Sequence, residues 1–138
     1  MARIKFDISH MKYMALFEKI AHTSPKDCIV NQNIITFIVK SNQAGKAIGK
    51  KGINIKKLET KLNKKIKIVE FDEDVIKFTQ NLIYPFNKVQ IEEIDGNIIL
   101  TGQDFKTKGL LIGRNSQNLL KIEDILRRYF KFNKITVK

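Results

Sequence analysis

Apolar residues near the start of the chain recur with the period of an amphipathic helix. Their spacing of i, i+3, i+4 and i+7 places them on one helical face. Ser9 is predicted to cap this helix at its N-terminus, and the run Thr23-Ser24-Pro25 is predicted to end it. The face consists of Tyr13, Leu16, Phe17 and Ile20.

The pattern then changes to that of short strands. "DCIV" and "IITFIVK" are rich in β-branched and aromatic residues, and Asn31-Gln32-Asn33 between them is typical of a hairpin turn. A short helix or turn is predicted over Gly45 to Gly49. After Gly52, the helical period returns with Ile55, Leu58 and Leu62, and "KIKIVEF" is predicted to be a strand.

The second half of the chain repeats the first. Residues 33–62 align without a gap on residues 97–126, with ten identities in thirty positions, so the chain is a tandem repeat. In the second copy, acids in "EFDEDVIKFTQNLI" favour a helix start, and Asp95-Gly96 is a strong two-residue hairpin signal. The identical pairs are Asn33/Asn97, Ile34/Ile98, Ile35/Ile99, Gly45/Gly109, Ile48/Ile112, Gly49/Gly113, Asn54/Asn118, Lys57/Lys121, Glu59/Glu123 and Leu62/Leu126.

Each copy therefore has the element order αββααβ. The predicted fold class is α+β, with two tandem units, each a three-stranded sheet with helices packed on one face. We expect a first domain over residues 1–72 and a second over residues 73–138.

The net charge of the chain indicates which class of partner the protein binds. The 138 residues carry a formal net charge of +12 with a pI near 9.8, which favours a polyanionic partner, nucleic acid first and an acidic membrane surface second. The N-terminus does not resemble a secretory signal, and no run of 18 apolar residues occurs in the sequence. We expect a cytoplasmic protein that does not enter a membrane.

The basic charge is concentrated around one glycine motif. Residues 40–67 contain ten lysines and one acid, and Gly49-Lys50-Lys51-Gly52 lies at their centre. Glycines let a backbone approach a phosphate, and lysines add mobile positive charges suited to it. The motif alone leaves three interpretations open: a nucleotide site, a grip on a nucleic-acid backbone, or a turn between helices. Lys57, Lys61 and Lys64 share one helical face, which a solvated surface would also explain.

Enzymatic alternatives find little support. No Ser or Thr follows Lys50, so the phosphate-binding loop of nucleotide hydrolases is not matched. Cys28 is the only cysteine and is expected to be buried, and His10 and His22 have no partner at a metal-ligand spacing. The acidic run of residues 70–74 is expected to cap the following helix. We predict no catalytic residues, no metal, no cofactor and no small-molecule substrate.

A Gly-x-x-Gly after an isoleucine, between two short helices in a basic region, resembles the loop of a KH domain of the prokaryotic type II arrangement. Two such units, opening with "HMKYMALFEKIAHTSPKDCIV", are similar to archaeal NusA-like transcription factors. This resemblance implies binding of single-stranded RNA, with bases received by an apolar groove edge that includes Ile48, Ile53 and Ile55. The implied RNA-binding residues are Lys46, Ile48, Gly49, Lys50, Lys51, Gly52, Ile53, Lys56 and Lys57, with Gly113, Arg114, Asn115 and Ser116 in the second copy.

Three functions remain open. The first is an RNA-binding factor in transcription elongation or termination, and the second is a ribosome-associated or RNA-processing KH protein. The third is a protein-interaction module that docks on an acidic surface of RNA polymerase and touches RNA little. RNA polymerase is thus a possible partner. Ser116 replaces the last glycine of the motif, so the first loop is expected to dominate the grip on the backbone.

Overall fold

The computed structural model describes residues 8–31 and 33–138. They form two compact units, with the boundary along the chain between Asp72 and Glu73. Each unit has the order αββααβ around a three-stranded mixed sheet, which confirms the predicted fold class.

The first unit contains a sheet in which β1 and β2 are antiparallel and β2 and β3 are parallel. The hairpin prediction is confirmed by the pairing of Asn31 with Ile34, while residue 32 lies outside the described residues. The elements are α1 (Ile8–Ala21), β1 (Pro25–Asn31), β2 (Ile34–Val39), α2 (Ala44–Ile48), a 3-10 turn (Lys50–Gly52), α3 (Ile53–Leu62) and β3 (Lys65–Glu70).

In the core of this unit, helix side chains pack against the central strand. Phe17 of α1 stacks on Phe37 of β2, with ring centroids 4.4 Å apart. Cys28 is buried, as expected for a small apolar side chain. The capping prediction for Ser9 is wrong, because α1 begins at Ile8 and already includes Ser9.

The second unit repeats this topology, with β4 antiparallel to β5 and β5 parallel to β6. Asp95 and Gly96 both have positive φ, 53° and 78°, which is the backbone of the predicted tight hairpin turn. The elements are α4 (Val75–Ile83), β4 (Val89–Ile94), β5 (Asn97–Gly102), α5 (Phe105–Ile112), a 3-10 turn (Arg114–Ser116), α6 (Gln117–Arg127) and β6 (Lys134–Val137).

Acids of the run 70–74 accept hydrogen bonds from the first turns of two different helices. The Asp74 carboxylate accepts a hydrogen bond from the amide of Ile76 at 3.0 Å, so Asp74 caps α4 as predicted. Glu70 behaves differently from the prediction, because its carboxylate accepts from the amide of Ala44 at 3.3 Å and thus supports the start of α2. This contact fixes the helix that leads into the first glycine loop.

Candidate nucleic-acid interface

The first glycine loop connects α2 to α3 and requires a glycine at its start. Gly49 has φ 81° and ψ 166°, a region that is essentially closed to residues with a side chain. A Cβ at this position would also lie 2.8 Å from the Asn54 side chain. Two independent reasons, conformation and space, therefore exclude any other residue at 49 without rearrangement.

The rest of the loop is a tight turn that exposes its lysines. The amide of Gly52 donates to the carbonyl of Gly49 at 3.1 Å, and the amide of Ile53 donates to the carbonyl of Lys50. Lys51 and Gly52 are both left-handed, with φ 56° and 73°. The side chains of Lys50 and Lys51 are exposed, so their charges are available to an approaching anion.

Asn54 ties the two helices together across the loop. Its side-chain Nδ2 donates to the carbonyl of Lys46 at 3.3 Å, joining the start of α3 to the last turn of α2. Asn118 does the same in the second unit, donating to the carbonyls of Leu110 at 3.2 Å and Leu111 at 2.9 Å. Sequence reasoning gave this asparagine no role, although its identity in both copies of the repeat was a usable signal.

An open groove of about 370 Å³ lies beside the loop, and its volume is within the range of small-ligand sites. It brings together four of the predicted site residues, Lys50, Lys51, Ile53 and Lys56. Ile53 supplies the apolar surface, since its side chain is 49% exposed. We call this the loop groove.

A second open groove of about 350 Å³ follows the outer face of α3. We call it the α3 groove. It shares Ile53 and Lys56 with the loop groove and includes Lys57 of the predicted set. Its lining residues are Ile20, Ile53, Lys56, Lys57, Thr60 and Lys61.

The three isoleucines of the predicted groove edge lie in different surroundings in the structure. Ile53 lines both grooves, whereas Ile48 and Ile55 are half-buried and line neither of them. Ile55 packs against the hydrophobic core of the first unit. The helical phase of α3 explains the difference, because Ile53 and Ile55 are two residues apart and so point to nearly opposite sides.

The second loop has nearly the same backbone as the first. Gly113 has φ 75° and ψ 171°, close to the values of Gly49, and Asn115 is left-handed like Lys51. Ser116 has φ 60° and ψ 19°, so it adopts the positive φ that its Cβ was expected to disfavour. The loop geometry is therefore retained in spite of the missing glycine.

The two units differ in charge rather than in backbone. Residues 44–62 contain six lysines and one acid, whereas the equivalent residues 108–126 contain three basic residues and two acids. Leu110, Asn115 and Leu120 stand where the first unit has Lys46, Lys51 and Lys56. Lys121 remains, but it is half-buried, and desolvation lowers its pKa.

Within the described residues, no group of three or more His, Cys, Asp or Glu side chains is placed to hold a metal ion. No helix in residues 8–31 and 33–138 is long and apolar enough to cross a membrane. The Gly-Lys-Lys-Gly loop with its two grooves is the candidate binding site of the first unit.

Comparison with known proteins agrees with this architecture. The KH domain family matches residues 12–94. The "Probable transcription termination protein NusA" of Methanocaldococcus jannaschii is 32% identical over 99% of this chain and 76% of its own length. The protein of the same name from Thermoplasma acidophilum is 30% identical over 100% of this chain and 98% of its own length. A solved structure, "Crystal structure of APE1850", superposes with a TM-score of 0.72 at 26% identity and covers 96% of this chain and 100% of that one.

Proposed function

Because this chain belongs to the KH-domain family and, within it, to the archaeal NusA-like proteins, we propose that it binds single-stranded RNA and acts in transcription elongation or termination. It does so as a binding factor that catalyses no reaction and uses no cofactor. We expect a protein with this role to be cytoplasmic.

The observation that carries the proposal is the first loop with its adjoining groove. Gly49 allows a backbone to approach closely, and Lys50 and Lys51 present exposed positive charge at the same point. A phosphate of the strand is held there, while a base of the same strand contacts the exposed apolar surface of Ile53. The lysines of the groove neutralise phosphates without reading their sequence, so any base preference comes from the groove.

Single-stranded RNA fits this site better than a duplex. A loop that holds the backbone next to an apolar surface requires bases that are free to turn toward the protein, and paired bases are not. The two grooves are lined by isoleucine, lysine and threonine and, among the described residues, contain no aromatic side chain on which a base could stack. This lining favours shallow and sequence-tolerant contacts with the bases.

The two units contribute unequally. The first unit supplies most of the phosphate contacts, because the second has leucine or asparagine at three of the equivalent lysine positions. Arg114 is the remaining cation in the second loop and is exposed. It adds a weaker contact.

A docking role on RNA polymerase is the second candidate function. It is favoured by apolar side chains that the second unit exposes, since Phe105 is 90% and Leu110 is 49% exposed. The two functions are compatible in one protein, with the first unit on RNA and the second on a protein surface. Co-purification with RNA polymerase, lost when Phe105 is changed to serine, tests this candidate.

A fluorescence titration tests the RNA-binding proposal. The same sequence is offered as a labelled single strand and as a duplex, over a series of salt concentrations. We expect tighter binding to the single strand and a fall in affinity with salt at a slope of about 0.7 per phosphate contacted. Equal affinity for the duplex, or affinity that does not change with salt, contradicts the proposal.

A further inference from the structure

The α3 groove is formed by one face of a single helix. Ile53, Lys56, Lys57, Thr60 and Lys61 follow the spacing i, i+3, i+4, i+7 and i+8, so their side chains share one side of α3. Ile20 of α1 also lines the groove. The sequence analysis placed Ile20 on the apolar face of α1. Its half-buried side chain packs against the core of the first unit and also lines this groove.

The positive charge of this face is not balanced by the acid in the same helix. Glu59 is the only carboxylate of α3, and its Oε2 accepts a hydrogen bond from the amide of Ile66 in β3 at 3.3 Å. Its charge is thereby directed toward the sheet. The three lysines of the groove are exposed, and their aliphatic stems border an apolar surface, an arrangement that suits a ligand with both anionic and apolar parts.

Nucleic acid combines those two properties along its length. The loop groove and the α3 groove share Ile53 and Lys56, so a strand that leaves the loop past Ile53 reaches the second groove without crossing uncharged surface. The α3 groove also contains the hydroxyl of Thr60. This hydroxyl donates its proton to the carbonyl of Lys56 at 3.0 Å, so it can only accept a hydrogen bond from a ligand.

We propose that the α3 groove is a second RNA subsite, which receives a nucleotide beyond those held at the glycine loop. The base rests on Ile20 and Ile53, and Lys57 and Lys61 contact the phosphates that flank it. The inference rests on the proposed RNA-binding function and adds a direction to it, since the strand continues along α3 from the loop.

The subsite belongs to the first unit alone. At the equivalent positions of α6, Asp124 replaces Thr60 and the buried Ile125 replaces Lys61. Gln117 and Leu120 replace Ile53 and Lys56, the two residues that the grooves share. The second unit thus retains the loop backbone but not the basic helical face.

Oligonucleotide length separates this subsite from the loop. We compare the Lys57→Ala, Lys61→Ala double variant with the unaltered protein, using mixed-sequence single-stranded RNA of about four nucleotides, the span that a KH loop clamps, and of about eight. We expect a loss of about tenfold for the longer RNA and of less than about twofold for the shorter one. A Lys57→Gln, Lys61→Gln variant, which removes the charge but keeps a long polar side chain, should show the same difference.

The control removes the same charge elsewhere in the first unit. Lys40 and Lys65 are exposed and line neither groove, so Lys40→Ala with Lys65→Ala should weaken both RNAs slightly and equally. An equal loss for both lengths in the Lys57/Lys61 variants, or no loss for either, overturns the subsite. So does tight binding of an acidic peptide that RNA cannot displace. If instead the unaltered protein binds neither RNA, the proposed function itself is wrong.

Discussion

Ser116 has the backbone conformation of Gly52, with φ 60° and ψ 19° against φ 73° and ψ 21°. The two residues are equivalent in the repeat, and each immediately precedes the long helix that follows its loop. The left-handed conformation is costly for a residue with a side chain, by about 1 to 2 kcal/mol. The second loop therefore has the same backbone shape as the first, with local strain at Ser116.

Ser116→Gly should leave RNA affinity equal or make it slightly tighter, by at most about 1 kcal/mol, because glycine adopts this conformation without strain. The measurement is a titration with single-stranded RNA alongside thermal melting. A severalfold loss of affinity with unchanged melting would mean that the serine hydroxyl contacts RNA, and the second loop would then be a specialised site.

Arg114→Ala should weaken RNA binding by less than about threefold. Lys50→Ala with Lys51→Ala should weaken it by about tenfold or more, since these two lysines line the loop groove together with Lys56. Both variants alter exposed loop side chains, so melting temperatures should not change. The ordering of the two losses is the result to check, and the reverse order would make the second unit the principal RNA contact.

The two glycines of the first loop should respond differently to alanine. Gly49→Ala introduces a Cβ within 2.8 Å of Asn54 and a forbidden conformation, so we expect a loss of about 1 to 3 kcal/mol in the free energy of unfolding. Gly52→Ala meets no atom within 4 Å and suffers only from its φ of 73°, so about 1 kcal/mol is expected. Denaturant unfolding of the two variants side by side gives the comparison, and equal losses would be inconsistent with the described loop.

Asn54→Ala should lower RNA affinity severalfold, because the hydrogen bond that holds α2 and α3 at a fixed separation is lost. The matched control is Asn118→Ala, which removes the equivalent bonds in the second unit. Each variant should lose about 0.5 to 1.5 kcal/mol of stability, but only Asn54→Ala should change RNA binding substantially.

Asn54→Asp refines this test, since it keeps the side-chain shape but removes the N–H donor to Lys46. Amide chemical shifts of Gly49 and Gly52 should move in both Asn54 variants. The new carboxylate of Asn54→Asp also repels phosphate, so the decision rests on Asn54→Ala. If its RNA affinity falls while these shifts stay in place, Asn54 contacts RNA directly and does not act through the loop.

Periodicity and the internal repeat were sufficient to predict the order of elements in both units. The repeat was decisive because a feature seen twice, such as Asn54 and Asn118, is harder to attribute to chance than a single match. Boundaries were less certain. Ser9 resembles a capping residue in the sequence, yet α1 begins one residue earlier.

Partners distant in sequence could not be predicted. Glu70 and Ala44 are 26 residues apart, and nothing local indicates that this carboxylate would support α2 and not α4. The positive φ of Ser116 has no local signal in the sequence, and only the equivalence to Gly52 in the repeat suggests it. The loss of charge in the second unit, in contrast, is readable from the alignment of the copies alone.

The most direct test of RNA binding through the first loop is the charge reversal Lys50→Asp with Lys51→Asp. Its control, Lys88→Asp with Lys131→Asp, changes the net charge equally at exposed positions outside helices and strands. Affinity for single-stranded RNA is measured by filter binding, with thermal melting to establish folding. We predict that the loop variant melts like the unaltered protein and largely loses RNA binding, while the control keeps most of it. Unchanged affinity in the folded loop variant would contradict the account.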